Sequence, residues 1–411
     1  MQGNSAWPLL RHHPGLRWLL SYRICAMLSY QIVAVAVGWQ LYQRTGDPLA
    51  LGLIGLAEVL PYLCTAPFAG YLVDTLRRRR LGLAACTGLL LTAAALLLTA
   101  LPALDDGPVW PIYAAIAMTG MVRAFITPVY MALFARVLPR ADYTRGASLG
   151  SIAFTGALVA GPALGGALIA LGGSALAYAC AMACALLAGL AMCGLQVDDN
   201  PPPGPHAAVF PAIAEGARFV WNTPVMLAAM ALDMFSVLLG GVVAMLPAFI
   251  DDVLLAGPQA LGLLRAAPAV GALLVGLWLA RHPPDRHAGW LLLAAVTGFG
   301  LSILGFANAR QLWTAAAFLL SYGAFDGVSM VLRQTIFQLA TPDAMRGRVA
   351  SINGIFISSS NELGAFYAGS MARLLGLLPA MLLGGGAVIG VAALTAWRSP
   401  ALRRLHLHQL R

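Results

Sequence analysis

Five ionisable residues sit deep inside stretches of the sequence that are otherwise apolar: Glu58, Arg123, Asp233, Asp326 and Glu362. Where such stretches cross a bilayer, a charge near the centre costs at least about 2.5 kcal/mol, so each of the five is a site candidate by default. Four are acidic. Carboxylates held in a low-dielectric cavity can exchange protons near neutral pH, so this set suits proton-coupled chemistry. Asp233, in ALDMFSVLLGG, has no basic residue close in sequence and is the first candidate for carrying a proton. Arg23, Arg265 and Arg333 lie nearer the ends of their stretches, where a long side chain reaches the interface by snorkelling.

The elements that must position these groups follow from composition. Hydrophobic residues make up 60% of 411, with a mean hydropathy of +0.80, against about 45–50% apolar usage in soluble domains. The chain reads as an all-α membrane protein. A bilayer core about 30 Å thick needs about 20 apolar helical residues. Twelve runs of that kind lie near 17–41, 49–73, 81–101, 110–135, 146–171, 175–195, 225–249, 259–280, 289–307, 312–338, 349–374 and 378–397. A polar leader with Pro8 and Pro14 precedes the first run, which is too long for a signal segment and is expected to stay in the mature protein.

All 25 basic residues are arginine, so they keep their charge at any working pH. If the amino terminus is cytoplasmic, 18 arginines fall in cytoplasmic segments and three outside, with four inside helices. The positive-inside rule then predicts both termini in the cytoplasm. The six cysteines (Cys25, Cys64, Cys86, Cys180, Cys184 and Cys193) all lie in apolar runs and read as small hydrophobes, with no disulfide and no metal site expected.

The sixth and seventh runs are separated by QVDDNPPPGPHAAVFPAIAEGARFVWNTP. Pro201–Pro205 cannot continue a helix, and Val209–Trp221 has the mixed pattern of a helix lying on the cytoplasmic surface. The expected organisation is a six-helix bundle over 1–195, a linker with a surface helix over 196–224, a second six-helix bundle over 225–397 and a tail over 398–411. The halves also echo each other: RVLPRADYTRGASLGSI after the fourth run and FQLATPDAMRGRVASINGI after the tenth both pass through proline and aspartate to Arg-Gly. Internal repetition of this kind is expected of transporters whose halves rock about a central site.

Between the second and third runs stands GYLVDTLRRRRLG. Together with two sets of six helices it resembles the major facilitator superfamily, whose loop there reads Gly-x-x-x-Asp-(Arg/Lys)-x-Gly-Arg-(Arg/Lys). Gly70, Asp74, Arg78 and Arg79 match; Thr75 and Arg77 do not. The resemblance implies that the aspartate helps hold a cytoplasmic gate shut by meeting a helix end in the other half. A helix amino terminus does stabilise a carboxylate. GALVAGPALGG in the fifth run, with Gly161, Pro162, Gly165 and Gly166, is similar to the family's exporter motif, which points to export; a plain close-packing face is the alternative. The order of elements resembles the enterobactin-exporter-like branch, through AEGARFVWNTPVM and through VLRQTIFQLATPDAMRGRVASINGIF, where Asp343 and Arg346 are further gating candidates. An aspartate common in the first helix of that branch is replaced here by Ser29, Tyr30 and Gln31.

By the family's arrangement the first, fourth, seventh and tenth helices line the cavity. That places Arg123, Asp233 and Asp326 in it, with Tyr22, Tyr30 and Gln31 as polar or stacking contacts to substrate. Arg123 is expected either to pair with Asp326 or to receive an anionic substrate, and ion pairs that only hold helices together are the plainer role. Glu58 and Glu362 are expected to serve proton coupling, gating or packing.

The chain carries no His-Glu-x-x-His, no Gly-x-Ser-x-Gly and no Walker loop, which disfavours an intramembrane enzyme or an ATP-driven pump. The reading is a proton-coupled exporter of a small amphipathic molecule such as a siderophore, working by alternating access in a bacterial inner membrane. Multidrug or macrolide efflux and lysolipid transport are the alternatives. It is expected to need a small-molecule substrate, protons and the lipid bilayer, to act as a monomer, and to use no cofactor, metal or nucleic acid.

Overall fold

The computed structural model describes residues 7–101, 107–197, 209–282, 287–342, 345–403 and 405, with backbone alone at a few helix positions such as 346 and 347. The described chain is helical, and no strand occurs among the described residues. In chain order the helices are α1 (Trp7–His12), α2 (Pro14–Thr45), α3 (Pro48–Thr75), α4 (Arg78–Thr99), α5 (Trp110–Val137), α6 (Tyr143–Gly194) and α7 (Val209–Trp221). After these come α8 (Pro224–Leu239), α9 (Leu246–Phe249), α10 (Pro258–Arg281), α11 (Ala288–Asn308), α12 (Leu312–Ala340), α13 (Arg346–Leu375), α14 (Leu377–Arg398) and α15 (Pro400–Arg403).

Among the described residues, ten segments are long and apolar enough to cross a membrane. The fifth and sixth predicted spans are one of these ten, because they run together in α6 and are separated only by a kink at Gly172 and Gly173. Gly173 has φ +70°, a backbone conformation that favours glycine. The eleventh predicted span is α13, whose Ser-Ser-Ser-Asn-Glu stretch from Ser358 to Glu362 makes it more polar than the rest. Splitting α6 at its kink and including α13 accounts for all twelve spans.

The seventh span is not one continuous helix. α8 ends at Leu239, and a 3-10 turn (Val242–Met245), α9 and a π-turn (Ile250–Leu254) follow. The break falls where the backbone must pass α13 closely: a Cβ on Gly241 would lie 2.4 Å from the Gly364 carbonyl oxygen. The repeated sequence motif forms two similar junctions. α5 and α12 both stop at an extended residue, Leu138 and Thr341, each followed by a proline that excludes the helical conformation before it.

The helices form two compact units. One holds the described residues of Met1–Gln40 and Leu60–Ala207, the other those of Leu41–Val59 and Ala208–Arg411. In the first unit, Leu19, Tyr22 and Ala26 of α2 pack with Cys86 and Leu89 of α4, Val129 and Leu133 of α5, and Ala188 and Met192 of α6. Small residues let α6 approach α2, since a Cβ on Gly161 would sit 2.5 Å from Gln31 Cβ and one on Gly165 would sit 3.1 Å from Val35 Cβ.

In the second unit α10 and α12 touch backbone to backbone. A Cβ on Gly271 would lie 2.0 Å from the Leu320 carbonyl oxygen, and one on Gly323 would lie 1.9 Å from that of Pro268. Residues 41–59 belong to this unit for similar reasons. A Cβ on Gly55 would lie 2.4 Å from the Glu362 carbonyl oxygen, and Gly369 abuts Pro48. Tyr42 donates a 2.6 Å hydrogen bond to Asp252, and Arg373 pairs with Asp47.

The predicted surface helix is present as α7, which lies against α13. Arg348 of α13 pairs with Glu215 of α7 at 2.6 Å, and both side chains are substantially exposed. Solvent-exposed pairs contribute little. We expect Glu215→Gln to change unfolding stability by less than about 1 kcal/mol, read by thermal unfolding in detergent, whereas Gly216→Leu should loosen α7 from α13 by colliding with Ile352, 2.8 Å from a Cβ at that position.

Candidate transport site

In the second unit, α8 and α12 bring together the groups best suited to proton chemistry. Asp233 and Ser236 stand at i and i+3 on α8; Asp326, Ser329 and Arg333 stand at i, i+3 and i+7 on one face of α12. Asp233, Ser236, Asp326 and Ser329 line a small cavity whose apolar wall is Val296, Phe299 and Phe325. Phe299 packs against Tyr322 with ring centroids 4.2 Å apart. Arg333 forms an ion pair with Asp233, and its Nε lies 3.3 Å from both the carbonyl oxygen and Oγ of Ser329. Arg333 is 4% exposed and Asp233 7%.

This corrects one expectation. Arg333 does not snorkel to an interface, because the Asp233 carboxylate and Ser329 satisfy its guanidinium inside the unit. It also gives Asp233 the basic partner that its local sequence lacks. Asp326 is partly buried beside this pair and makes no hydrogen bond or ion pair with any described residue. A buried ion pair with a second carboxylate next to it can exchange one proton while the cation stays paired, since Arg333 can turn toward whichever carboxylate is charged.

In the first unit, Arg123 of α5 donates a 2.8 Å hydrogen bond to the Tyr30 hydroxyl of α2 and lies 5.1 Å from the Tyr62 ring centroid. The structure thus brings Arg123 and Tyr30 together across α2 and α5. Gln31 is adjacent, although its Cβ side packs on Gly161. Tyr22 is 1% exposed, with no hydrogen-bond partner for its hydroxyl among the described residues, and packs into the core between α2, α4, α5 and α6 instead of lining an open cavity. Glu58 is buried on α3, and Glu362 is partly buried on α13, its carbonyl facing Gly55.

The arginine-rich loop is short. α3 ends at Thr75 and α4 starts at Arg78. Gly70 and Asp74 are exposed on the last turns of α3. Arg78 is buried and donates to the Val73 carbonyl. Arg79 donates to the carbonyls of Met192, at 3.0 Å, and Cys193, capping the carboxyl end of α6. Gly161, Pro162, Gly165 and Gly166 are all buried within α6. Asp343 lies outside the described residues, as does the side chain of Arg346. We expect Arg79→Ala to remove both capping bonds and lower stability by about 1–3 kcal/mol, whereas Arg80→Ala, at an exposed position, should leave unfolding unchanged; thermal unfolding of the two purified variants separates them.

A helical chain in two units, with most of its long helices apolar enough to cross a bilayer, has the architecture of a multi-pass membrane protein. The chain belongs to the Major Facilitator Superfamily, whose family model matches residues 19–365. It is 28% identical over 385 residues to the multidrug efflux pump Tap of Mycolicibacterium fortuitum, covering 87% of this chain and 91% of that protein. It is 25% identical over 382 residues to the enterobactin exporter EntS of Escherichia coli O81 (strain ED1a), covering 89% of this chain and 87% of that protein. Its fold is similar to that of a D-xylose-proton symporter, with a TM-score of 0.74, 14% identity and coverage of 96% of this chain and 100% of the other. A bacterial homolog of the human lysosomal transporter Spinster gives a TM-score of 0.74 at 15% identity, covering 97% and 98%. The family consists of transporters, so the chain is a transporter of small molecules and not an enzyme.

Proposed function

We propose that the protein is a proton-coupled exporter of a small amphipathic molecule, with a siderophore as the leading substrate class, working by alternating access in a bacterial inner membrane with both termini cytoplasmic. The observation that carries the coupling is the buried Asp233–Arg333 pair with the unpaired Asp326 on the same face of α12. Protonation of one carboxylate releases Arg333 to the other, so the proton and the local packing of α8 against α12 are linked. Similarity to EntS and Tap supports export, and the arginine distribution supports the orientation. Arg123 and Tyr30 supply the polar contacts to substrate, with Gln31 beside them. Glu58 and Glu362 serve closure of the 41–59 segment on α13, and Gly70, Asp74, Arg78 and Arg79, with Asp343 and Arg346, serve the cytoplasmic gate. Multidrug efflux is the second reading, favoured by similarity to Tap.

The test is reconstitution into liposomes with an imposed pH gradient and a panel of iron chelators and cationic dyes. Gradient-driven movement of a chelator with counter-flow of protons is the expected result. Movement of a transported compound with no proton flux removes the antiport claim.

A further inference from the structure

Arg23, a cation on α2, takes no part in the proposed coupling. Its surroundings point elsewhere. The guanidinium carbon lies 3.9 Å from the Tyr130 ring centroid and 5.0 Å from that of Phe154, so the cation is held between two aromatic faces from α5 and α6. No carboxylate among the described residues pairs with it, and it remains partly exposed. A guanidinium over aromatic faces is held by its π contacts, which leave the N–H donors at its edge suited to an oxyanion. Tyr130 is 3% exposed and its hydroxyl has no hydrogen-bond partner among the described residues. Gly150 makes room for it: a Cβ there would stand 2.2 Å from the Tyr130 hydroxyl oxygen and 3.8 Å from an Arg23 guanidinium nitrogen.

The arrangement is repeated. Arg123 of α5 lies 5.6 Å from the Tyr30 ring centroid of α2, as Arg23 of α2 lies over Tyr130 of α5. The two pairs are seven residues apart on each helix and run in opposite directions, so α2 and α5 are antiparallel here and the two arginines stand about 10 Å apart along them. Each helix contributes one arginine and one tyrosine.

We propose that Arg23, between Tyr130 and Phe154, binds the anionic head of an amphipathic aromatic anion, a carboxylate or sulfonate, as the first of two arginine stations on the α2–α5 face, with Arg123 as the second. This rests on the export reading only for which end of α2 the substrate enters. Guanidinium donors take the oxyanion, Tyr130 holds the cation in place from the buried side, and the partly exposed Phe154 ring takes an aryl group by stacking. An anionic lipid headgroup presents the same oxyanion chemistry without the aryl part.

The test is equilibrium binding of radiolabelled 1-naphthoate to the full-length protein in nanodiscs, with no gradient, so that it reads neither direction nor coupling. Arg23→Gln should weaken naphthoate binding about tenfold, the loss of one charge-assisted contact. Arg23→Lys, which keeps the charge but loses the planar stack, should fall between the two. Binding of tetraphenylphosphonium, a cation, should be unchanged in both, which also reports that the variants are folded. If Arg23→Gln fails to fold, Arg23→Lys and Phe154→Leu, expected to weaken naphthoate binding severalfold, carry the test. Unchanged naphthoate affinity in all folded variants overturns the proposal and leaves Arg23 as a packing clamp. Loss of naphthoate binding in wild type when phosphatidylglycerol replaces phosphatidylcholine, with no such effect in Arg23→Lys, assigns the station to lipid and overturns the substrate reading. An intact naphthoate effect alongside failed proton coupling in liposomes would leave the station standing and remove only the antiport claim.

Discussion

Asp233→Asn is expected to reduce gradient-driven transport by more than tenfold and to destabilise the second unit at the same time. The substitution takes from buried Arg333 the carboxylate it pairs with and leaves it Ser329 and the neighbouring Asp326; stripping one partner from a buried ion pair costs about 3–5 kcal/mol, an upper bound here because Asp326 can take over part of the pairing. The two consequences have to be separated, since a poorly folded transporter is also a slow one. Asp326→Asn separates them. Asp326 has no partner among the described residues, so its replacement leaves the Asp233–Arg333 pair intact, and stability should stay within about 1 kcal/mol while gradient-driven transport falls by a similar factor. The double change Asp233→Asn with Arg333→Gln should recover much of the stability lost in Asp233→Asn, because it removes the buried cation that had lost its paired carboxylate, without recovering coupling. Thermal unfolding and liposome flux on the same preparations check the whole set. Full recovery of gradient-driven transport in the double variant removes the ion pair from the coupling step.

The second large effect is structural. Gly323→Val should prevent the second unit from folding, because the added Cβ would stand 1.9 Å from the Pro268 carbonyl oxygen and the obstacle is backbone on both sides. Gly271→Val should do the same from the facing helix, since its Cβ would meet the Leu320 carbonyl oxygen at 2.0 Å. Overpacking of a well-filled interior typically costs about 1–3 kcal/mol even when side chains can yield, and here no side chain is available to move. By contrast, Gly276→Val, on α10 with no atom within 4 Å, is expected to fold and insert normally. Expression and size-exclusion behaviour of the three variants test this directly, and a monodisperse Gly323→Val protein would contradict the packing of α10 on α12.

The helical plan was legible in the sequence because twelve apolar runs of bilayer length, bounded by charge, glycine and proline, leave few other arrangements. The helix at Val209–Trp221 is legible too, from a mixed pattern between two apolar runs. The breaks were harder to read. Gly172 and Gly173 occur between two runs and form a kink without a loop, and Gly240 and Gly241 interrupt the seventh span because α13 passes too close for a continuous helix. Neighbour distance across the fold decides that, and a single run of sequence does not contain it.

At the site, depth along each run singles out Asp233 and Asp326, and both line the small cavity inside the second unit. It set Arg333 aside because it was judged by distance from a run end. The signal that finds Arg333 is periodicity: Asp326, Ser329 and Arg333 share a helical face, so a cation on that face meets whatever faces Asp326. Tyr22 was chosen for its type and its place on the first helix, and only packing shows that it points into the core. Arg23 and Tyr130, far apart in sequence, become neighbours through the antiparallel contact of α2 and α5, which no local pattern announces.

The account turns on whether the carboxylates of α8 and α12 link proton movement to substrate movement. The most direct measurement compares two fluxes in the same proteoliposomes: substrate exchange with no gradient, and substrate accumulation driven by an imposed pH gradient, for wild type and Asp326→Asn. The account predicts that exchange persists in Asp326→Asn while gradient-driven accumulation falls by more than tenfold. Equal gradient-driven accumulation in the two proteins would contradict it.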